Sequence, residues 1–326
     1  MIPTAIVKVL LVALFAIACS STPSRPPPLP PDDAAVGDGG VDPAELAGPL
    51  DHKCNGGDLE ACFRLGVMYA EGTGVSPDPP RATALFRQAC SGGTLAACNY
   101  LALALAEGMG VERQPQQAVE VYQKSCDGGY KTACRNLGMM LRDGRGVPAD
   151  AARAELLLDR ACRGGVPLAC TNAGDLDAQR AIKGGPARYK EMVTHYKLGC
   201  DAGDPTACRQ LGIASLEGKG VPKSTSAAAM WLERACMPDD PVACRLLGMM
   251  KLQGAARDVE RGKQLLTRAC DAKDDEACRM LKATTEGGGS ADDAGVVGDR
   301  GAAPSGVGRG HPPDGATDGA RISPPP

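Results

Sequence analysis

Fourteen of the fifteen cysteines in this chain fall into seven pairs of identical spacing: Cys54/Cys62, Cys90/Cys98, Cys126/Cys134, Cys162/Cys170, Cys200/Cys208, Cys236/Cys244 and Cys270/Cys278. Seven residues separate the members of each pair, and the first members recur at intervals of 36, 36, 36, 38, 36 and 34 residues. A period of this size marks a stacked array of supersecondary units, each too small to bury its apolar face alone. Cysteine is not its only carrier. Ala precedes the second cysteine of every pair (Ala61, Ala97, Ala133, Ala169, Ala207, Ala243, Ala277). Leu stands three residues after it in six of the seven copies, Ala173 being the exception, and Gly follows that position in five.

Within one copy the periodicity is helical. Ala61, Leu65, Met68 and Tyr69 recur at i, i+4, i+7 and i+8, which predicts a helix over about 58–70. Glycine boxes follow it, EGTGV at 71–75, EGMGV at 107–111, DGRGV at 143–147 and EGKGV at 217–221. Gly just past an apolar-periodic run is a helix stop. A second helix is predicted over about 80–90, with Ala82, Leu85, Phe86 and Ala89 on its apolar face and Pro80 in its first turn. No period-two stretch occurs, so the expected fold is all-α: an α/α solenoid, a TPR-like superhelix of about seven helix-turn-helix repeats.

The pattern AC-x-x-LG-x-x-Y-x-x-G-x-GV of residues 61–75, followed by A-x-x-L-F-x-x-AC at 82–90, resembles the Sel-one-like repeat. The cysteine spacing is similar to that of the family's cysteine-rich branch, the Helicobacter cysteine-rich proteins. The resemblance spans about residues 43–285. It weakens in the fourth copy, where 170–187 lacks the GxGV box and the repeat is two residues longer, and in the sixth, which reads QGAARD at 253–258.

The first cysteine of each pair ends one helix and the second lies one turn into the next. Gly-Gly pairs such as Gly56-Gly57 and Gly92-Gly93 allow a sharp reversal between them. Bridging needs Cα atoms within about 7 Å, which helices crossing just past such a turn supply. Each cysteine is therefore expected to pair with the one eight residues on, closing a loop worth roughly 2–2.6 kcal/mol in chain entropy. Zinc is disfavoured: there is no C-x2-C, and the only histidines are His52, His195 and His311. No metal and no cofactor are expected.

The odd cysteine, Cys19, follows a positively flanked run of ten apolar residues, Val9–Ala18, too short to span a bilayer but suited to a signal segment. The Ala16-Ile17-Ala18-Cys19-Ser20 sequence resembles a bacterial lipoprotein signal, departing from it at Ala16, where the family usually has Leu. The resemblance implies lipidation of Cys19 and, with Ser20 rather than Asp next, an outer-membrane lipoprotein; a plainly cleaved signal and a secreted protein stay open. Residues 1–18 thus form the expected signal, 19–42 a Pro-rich tether with six prolines among residues 23–31, 43–285 the solenoid, and 286–326 a Gly/Pro/Asp-rich disordered tail.

Net charge is −3 and aromatics are 3%, which argues against a nucleic-acid surface. No S-x-x-K, K-T-G, H-E-x-x-H, G-x-S-x-G or P-loop occurs, so no catalytic residue is expected. The far side of the first helix carries two columns. One reads Phe63, Asn99, Arg135, Thr171, Arg209, Arg245, Arg279; the other reads Val67, Leu103, Met139, Asp175, Ile213, Met249, Ala283. By resemblance to the family, first helices line the concave surface. Asn99, Leu103, Arg135, Met139, Arg209, Ile213, Arg245, Met249 and Arg279 are then the candidate binding residues, for a protein or an extended, acidic peptide. The other reading of these columns is a wide packing arc with a merely solvated arginine row. The family implies a non-enzymatic interaction scaffold; the lipoprotein-type signal implies membrane contact through a lipid anchor only. Its cysteine-rich branch implies a second possibility, penicillin binding or β-lactamase-type hydrolysis, for which this chain shows no motif.

Overall fold

A computed structural model describes residues 43–184, 187–237, 240–253 and 258–286. Cys19, the tether and the tail beyond Glu286 lie outside the described residues. The chain divides into two units, residues 1–282 and 283–326; the architecture below is that of the first, and of the second only the end of the last helix is described.

The described residues form fourteen α-helices and no strand. They are α1 (Pro43–Asn55), α2 (Leu59–Glu71), α3 (Pro79–Ser91), α4 (Leu95–Glu107), α5 (Pro115–Asp127), α6 (Lys131–Asp143) and α7 (Ala151–Arg163). After these come α8 (Pro167–Gly184), α9 (Ala187–Asp201), α10 (Pro205–Glu217), α11 (Thr225–Cys236), α12 (Pro241–Gln253), α13 (Val259–Asp271) and α14 (Asp275–Glu286). Each even-numbered helix from α2 to α12 packs along the helix that follows it, and these pairs are the repeat units of an α-solenoid. The helix starts follow from the sequence chemistry. Asp58, Asp78, Asp150 and Asp258 each accept a hydrogen bond from the backbone N–H three residues on, satisfying a donor the helix cannot.

One column of small residues decides how the two helices of a unit meet. A Cβ added at Gly66 would lie 2.8 Å from Phe86 Cε1, and one at Gly212 would lie 2.7 Å from Leu232 Cγ. The Gly after the recurring Leu is thus the seat for the large side chain of the second helix, which is why it recurs. The box glycines have a different task. Gly110 has φ +69°, and a Cβ there would stand 2.2 Å from the Pro79 carbonyl carbon. The turn of one repeat rests on the start of the preceding repeat's second helix, an approach that only Gly permits.

All seven bridges form between cysteines eight residues apart: Cys54–Cys62, Cys90–Cys98, Cys126–Cys134, Cys162–Cys170, Cys200–Cys208, Cys236–Cys244 and Cys270–Cys278. Their Cα–Cα distances run from 4.5 to 4.7 Å, inside the reach that a disulfide needs. Cys90 lies on α3 and Cys98 on α4, so this bridge joins the second helix of one unit to the first helix of the next. The same holds along the array. Cys54 on α1 is tied to Cys62 on α2, and Cys236 on α11 to Cys244 on α12.

Most of the bridged cysteines also pack into the interior. Cys62 and Cys244 are core residues, 0% and 1% exposed, and each belongs to one of the two clusters of buried apolar side chains. The physical reason is their place one turn into a first helix, on the side that faces the preceding repeat. A bridged sulfur there carries no hydrogen-bonding demand and fills the joint as a small apolar group. Cys62 and Cys244 therefore act in packing as well as in loop closure, and neither offers a surface for a partner. The disulfides and the box glycines join consecutive repeats, while the Gly–Leu or Gly–aromatic seat holds each pair together.

Candidate functional site

The first helices present the residues expected to bind a partner, and the structure separates the two columns. In the second column, Leu103, Met139, Ile213 and Met249 are half-buried and form a recurring apolar row, which Asp175 interrupts in the fourth repeat. In the first column no arginine ladder stands free in solvent except at its end, where Arg279 is exposed. Arg135 donates from Nε to Asn172 Oδ1 at 2.8 Å. Arg209 meets Asp240 at 2.7 Å, and Arg245 meets Asp274 and Glu276, each at 2.9 Å. Every one of these partners belongs to the next repeat.

The column is thus an inter-repeat latch. Asp204, Asp240 and Asp274 precede the first helices α10, α12 and α14 and accept from their first-turn N–H groups. Each also receives a side-chain donor from the preceding repeat: Thr171, Arg209 and Arg245 respectively. Upstream, the equivalent joints are built otherwise. Phe63 is buried and its ring packs at 5.4 Å from Tyr100 and 6.1 Å from Phe86. Asn99 is buried and accepts from Asn136 Nδ2 at 2.9 Å, while Arg135 also bonds Asn136. Burial pulls the Arg135 guanidinium below its ordinary value, partly offset by Tyr122. Neither a solvated row nor a free guanidinium ladder describes this face.

The fourth repeat carries a second constellation. His195 on α9 lies between two carboxylates: Nδ1 is 2.7 Å from Asp177 Oδ2 on α8, and Nε2 is 3.2 Å from Asp159 Oδ1 on α7. Its neighbour Tyr196, seated over Gly174, donates to Asp175 Oδ1 at 2.7 Å. The Asp177 hydrogen bond raises the imidazole's pKa above 6.5; burial opposes this and Asp159 adds to it. Burial pushes the Asp175 carboxyl up against the Tyr196 hydrogen bond, and pushes the Tyr196 phenol up as well. Asp159 is raised by burial, but the hydrogen bonds from Arg163 and His195 outweigh it and leave the carboxyl below its usual range. Beside this cluster is an open cleft of about 310 Å³ lined by Glu155, Leu156, Asp159, Arg163, Glu191, Thr194 and His195.

Glu155, Asp177 and Glu191 bring carboxylate oxygens within 4.8 Å of one another. The place among them is taken by Arg188, whose Nη1 is 2.6 Å from Glu155, 3.0 Å from Glu191 and 3.7 Å from Asp177. Arg180 pairs with Glu155 as well. A protein cation thus neutralises this group. Motif reading passes over the constellation, because its members lie 18 to 36 residues apart, but the repeat alignment marks it. Asp177 stands where other copies have Tyr69, Leu105, Leu141, Ser215 and Lys251. His195 stands where they have Leu85, Val121, Leu157, Trp231 and Leu265.

With the helix pairs, the staples and the latch established, the comparison with known families is direct. The Sel1 repeat model matches residues 59–94, 95–130, 131–166, 205–237 and 241–274, over half of the chain. The chain belongs to the Sel1 repeat family. The stretch left unmatched between the third and fourth matches is the repeat that carries His195 and Asp177. A protective antigen of uropathogenic Escherichia coli, displaying an SLR fold, is 25% identical with a TM-score of 0.65, over 76% of this chain and 53% of its own. The chain thus spans about half the length of that antigen. A Sel1 repeat protein of Oxalobacter formigenes is 23% identical with a TM-score of 0.60, over 69% of this chain and 99% of its own. Cysteine-rich protein B of Helicobacter pylori is 24% identical over 38% of this chain and 94% of its own; at a TM-score of 0.31 it adds nothing on shape. No curated protein sequence matches the chain significantly. A Sel1 array is a scaffold suited to protein–protein interaction. Seven disulfides fit an oxidising, extracytoplasmic compartment. Among the described residues, no helix is long and apolar enough to cross a membrane.

Proposed function

We propose that this chain is a cell-envelope scaffold whose first helices together bind an extended segment of another protein, and that lipidation of Cys19 and the Pro-rich segment tether it to the outer membrane. The observation that carries the reading is the recurring apolar row. Leu103, Met139, Ile213 and Met249 are each half-buried on successive or near-successive first helices, while the side chains beside them are occupied in bonding repeat to repeat. Partly exposed apolar side chains that recur once per repeat give a periodic contact surface, and Met adapts to irregular partners. The expected preference for acidic groups does not enter this reading, since Arg135, Arg209 and Arg245 already commit their donors within the array.

The test is site-specific photo-crosslinking in cells. A crosslinker replacing Met139 or Met249 is expected to trap one and the same partner. The same group at Leu198 or Met230, exposed on second helices, is expected to trap none. Equal labelling from both sets would refute the assignment of the face. A Cys19→Ala chain that still partitions with the outer membrane would refute the tether.

A further inference from the structure

The array is not apolar throughout. Among the described residues most buried apolar side chains fall into two clusters, one ending at Leu176 on α8 and the other beginning at Met192 on α9. Between them, within the fourth repeat, the columns that elsewhere hold mostly apolar side chains hold Asp177 and His195. Both imidazole nitrogens face carboxylate oxygens. A neutral imidazole carries one N–H and one lone pair, so it satisfies only one of these acceptors; the imidazolium satisfies both. The geometry is that of a charged histidine clasped by two acids from two other helices.

We propose that His195 is a proton-operated latch, whose imidazolium ties α9 to α7 and α8 at the divide in the core and whose deprotonation loosens this junction while leaving the repeats on either side folded. The surroundings make the loss of that proton matter. Asp177 is almost fully buried, and its Oδ1 has no hydrogen bond; the nearest cation besides His195 is Arg188, 3.7 Å away and shared with Glu155 and Glu191. From α7, Glu155 is taken up by Arg180 and Arg188, and Asp159 is shared between His195 and Arg163. From α8, Asp175 is engaged by Tyr196. Without the imidazolium, Asp177 stays buried with one distant, divided counter-charge, which is a costly arrangement. Because the clasped imidazole holds its proton more tightly than a free one, the stabilisation is complete below pH 6.5. It drains away as pH rises through the higher titration point of the folded protein.

Hydrogen exchange of the oxidised chain, read by mass spectrometry and corrected for intrinsic rates, tests this at pH 5.5 and 8.5. The opening constant of amides in α8 and α9 is expected to rise about tenfold for each pH unit climbed between the free and the clasped titration points. Amides in α4 and α12 are expected to keep theirs. In His195→Gln the junction is expected to be open and indifferent to pH. A pH response that survives in His195→Gln overturns the proposal, as does a rise shared equally by all helices. Should His195→Gln fail to fold, Asp159→Asn removes only the outer, more exposed acceptor. The His195 proton resonances are then expected to titrate at lower pH than in the parent chain, and an unmoved titration overturns the latch.

Discussion

Replacing Cys126 and Cys134 together by Ala removes one inter-repeat staple from the middle of the array. The bridge closes a loop with a sequence separation of 8. Treated as a nine-residue ring, its entropic contribution is about 2.6 kcal/mol. Both residues are completely buried, so excising two sulfurs adds the cost of a small void, about 1 kcal/mol. The expected loss is about 3–4 kcal/mol in urea unfolding of the otherwise oxidised protein. The ring size makes a sharper statement than the total. All seven bridges have the same separation, so the entropic part is the same for each, and differences between bridges come only from burial. Cys270–Cys278, whose two residues are only half-buried, should cost less than Cys126–Cys134 by about the void term. Equilibrium unfolding of the two double-Ala chains measures both numbers. A Cys126/Cys134 variant within about 1 kcal/mol of the parent, or a terminal bridge that costs more than the central one, would refute the reasoning that these bridges act by local loop closure.

Two further substitutions check the joints. Lys273 has φ +70° at the turn position where Gly57, Gly93, Gly129, Gly165 and Gly203 stand in other repeats. Lys273→Gly relieves left-handed strain of about 1–2 kcal/mol, offset in part by the freedom of Gly in the unfolded chain; a net gain of about 0.5–1 kcal/mol in urea unfolding with an unchanged slope is expected. Arg245→Met strands Asp274, a carboxylate only 8% exposed, and is expected to cost about 3 kcal/mol, with Arg245→Met/Asp274→Asn recovering part of it. Arg279→Ala, in the same column but exposed, should lie within about 0.5 kcal/mol of the parent.

The helices and their pairing are legible in the sequence because the signal repeats. The periodicity places a helix over 58–70, and α2 runs Leu59–Glu71, with Asp58 displaced to the cap; it places another over 80–90, and α3 runs Pro79–Ser91. Seven copies average out what a single segment leaves ambiguous. The cysteine pairing is legible for a related reason, since a ring of this size leaves each cysteine one near neighbour. That Cys62 and Cys244 also build the core is less so, because spacing fixes which sulfurs meet but not what is packed around them. The role of the arginine column is not legible at all. A helix wheel shows that position 209 points away from its own hairpin, but not that the aspartate 31 residues later faces back toward it. That contact depends on how one repeat is set against the next, which the staple and the box glycine determine together. The His195 cluster escapes for the opposite reason: it sits in the copy where the repeat signal fades, so the departure reads as weak resemblance rather than as chemistry.

The joints also differ along the array, which bears on how a solenoid of this kind comes apart. Stability in a repeat protein is close to a sum of unit terms and nearest-neighbour terms, so the weakest joint sets where it opens. The early joints rest on an aromatic group, Phe63 with Phe86 and Tyr100, and on an amide pair, Asn99 with Asn136. The later ones rest on a cap aspartate that receives Thr171, Arg209 or Arg245. Both kinds are half-buried or better, which protects them from salt. The fourth repeat faces a different problem: its α9 meets α8, and through Asp159 also α7 of the repeat before, by way of His195, Asp177, Tyr196 and Asp175, groups whose pairing depends on protonation. The staples on either side, Cys162–Cys170 and Cys200–Cys208, hold its ends whatever the pH. An array built this way can loosen at one internal hairpin without losing its register, because the staples at the start of α8 and the end of α9 do not depend on the His195 pairing.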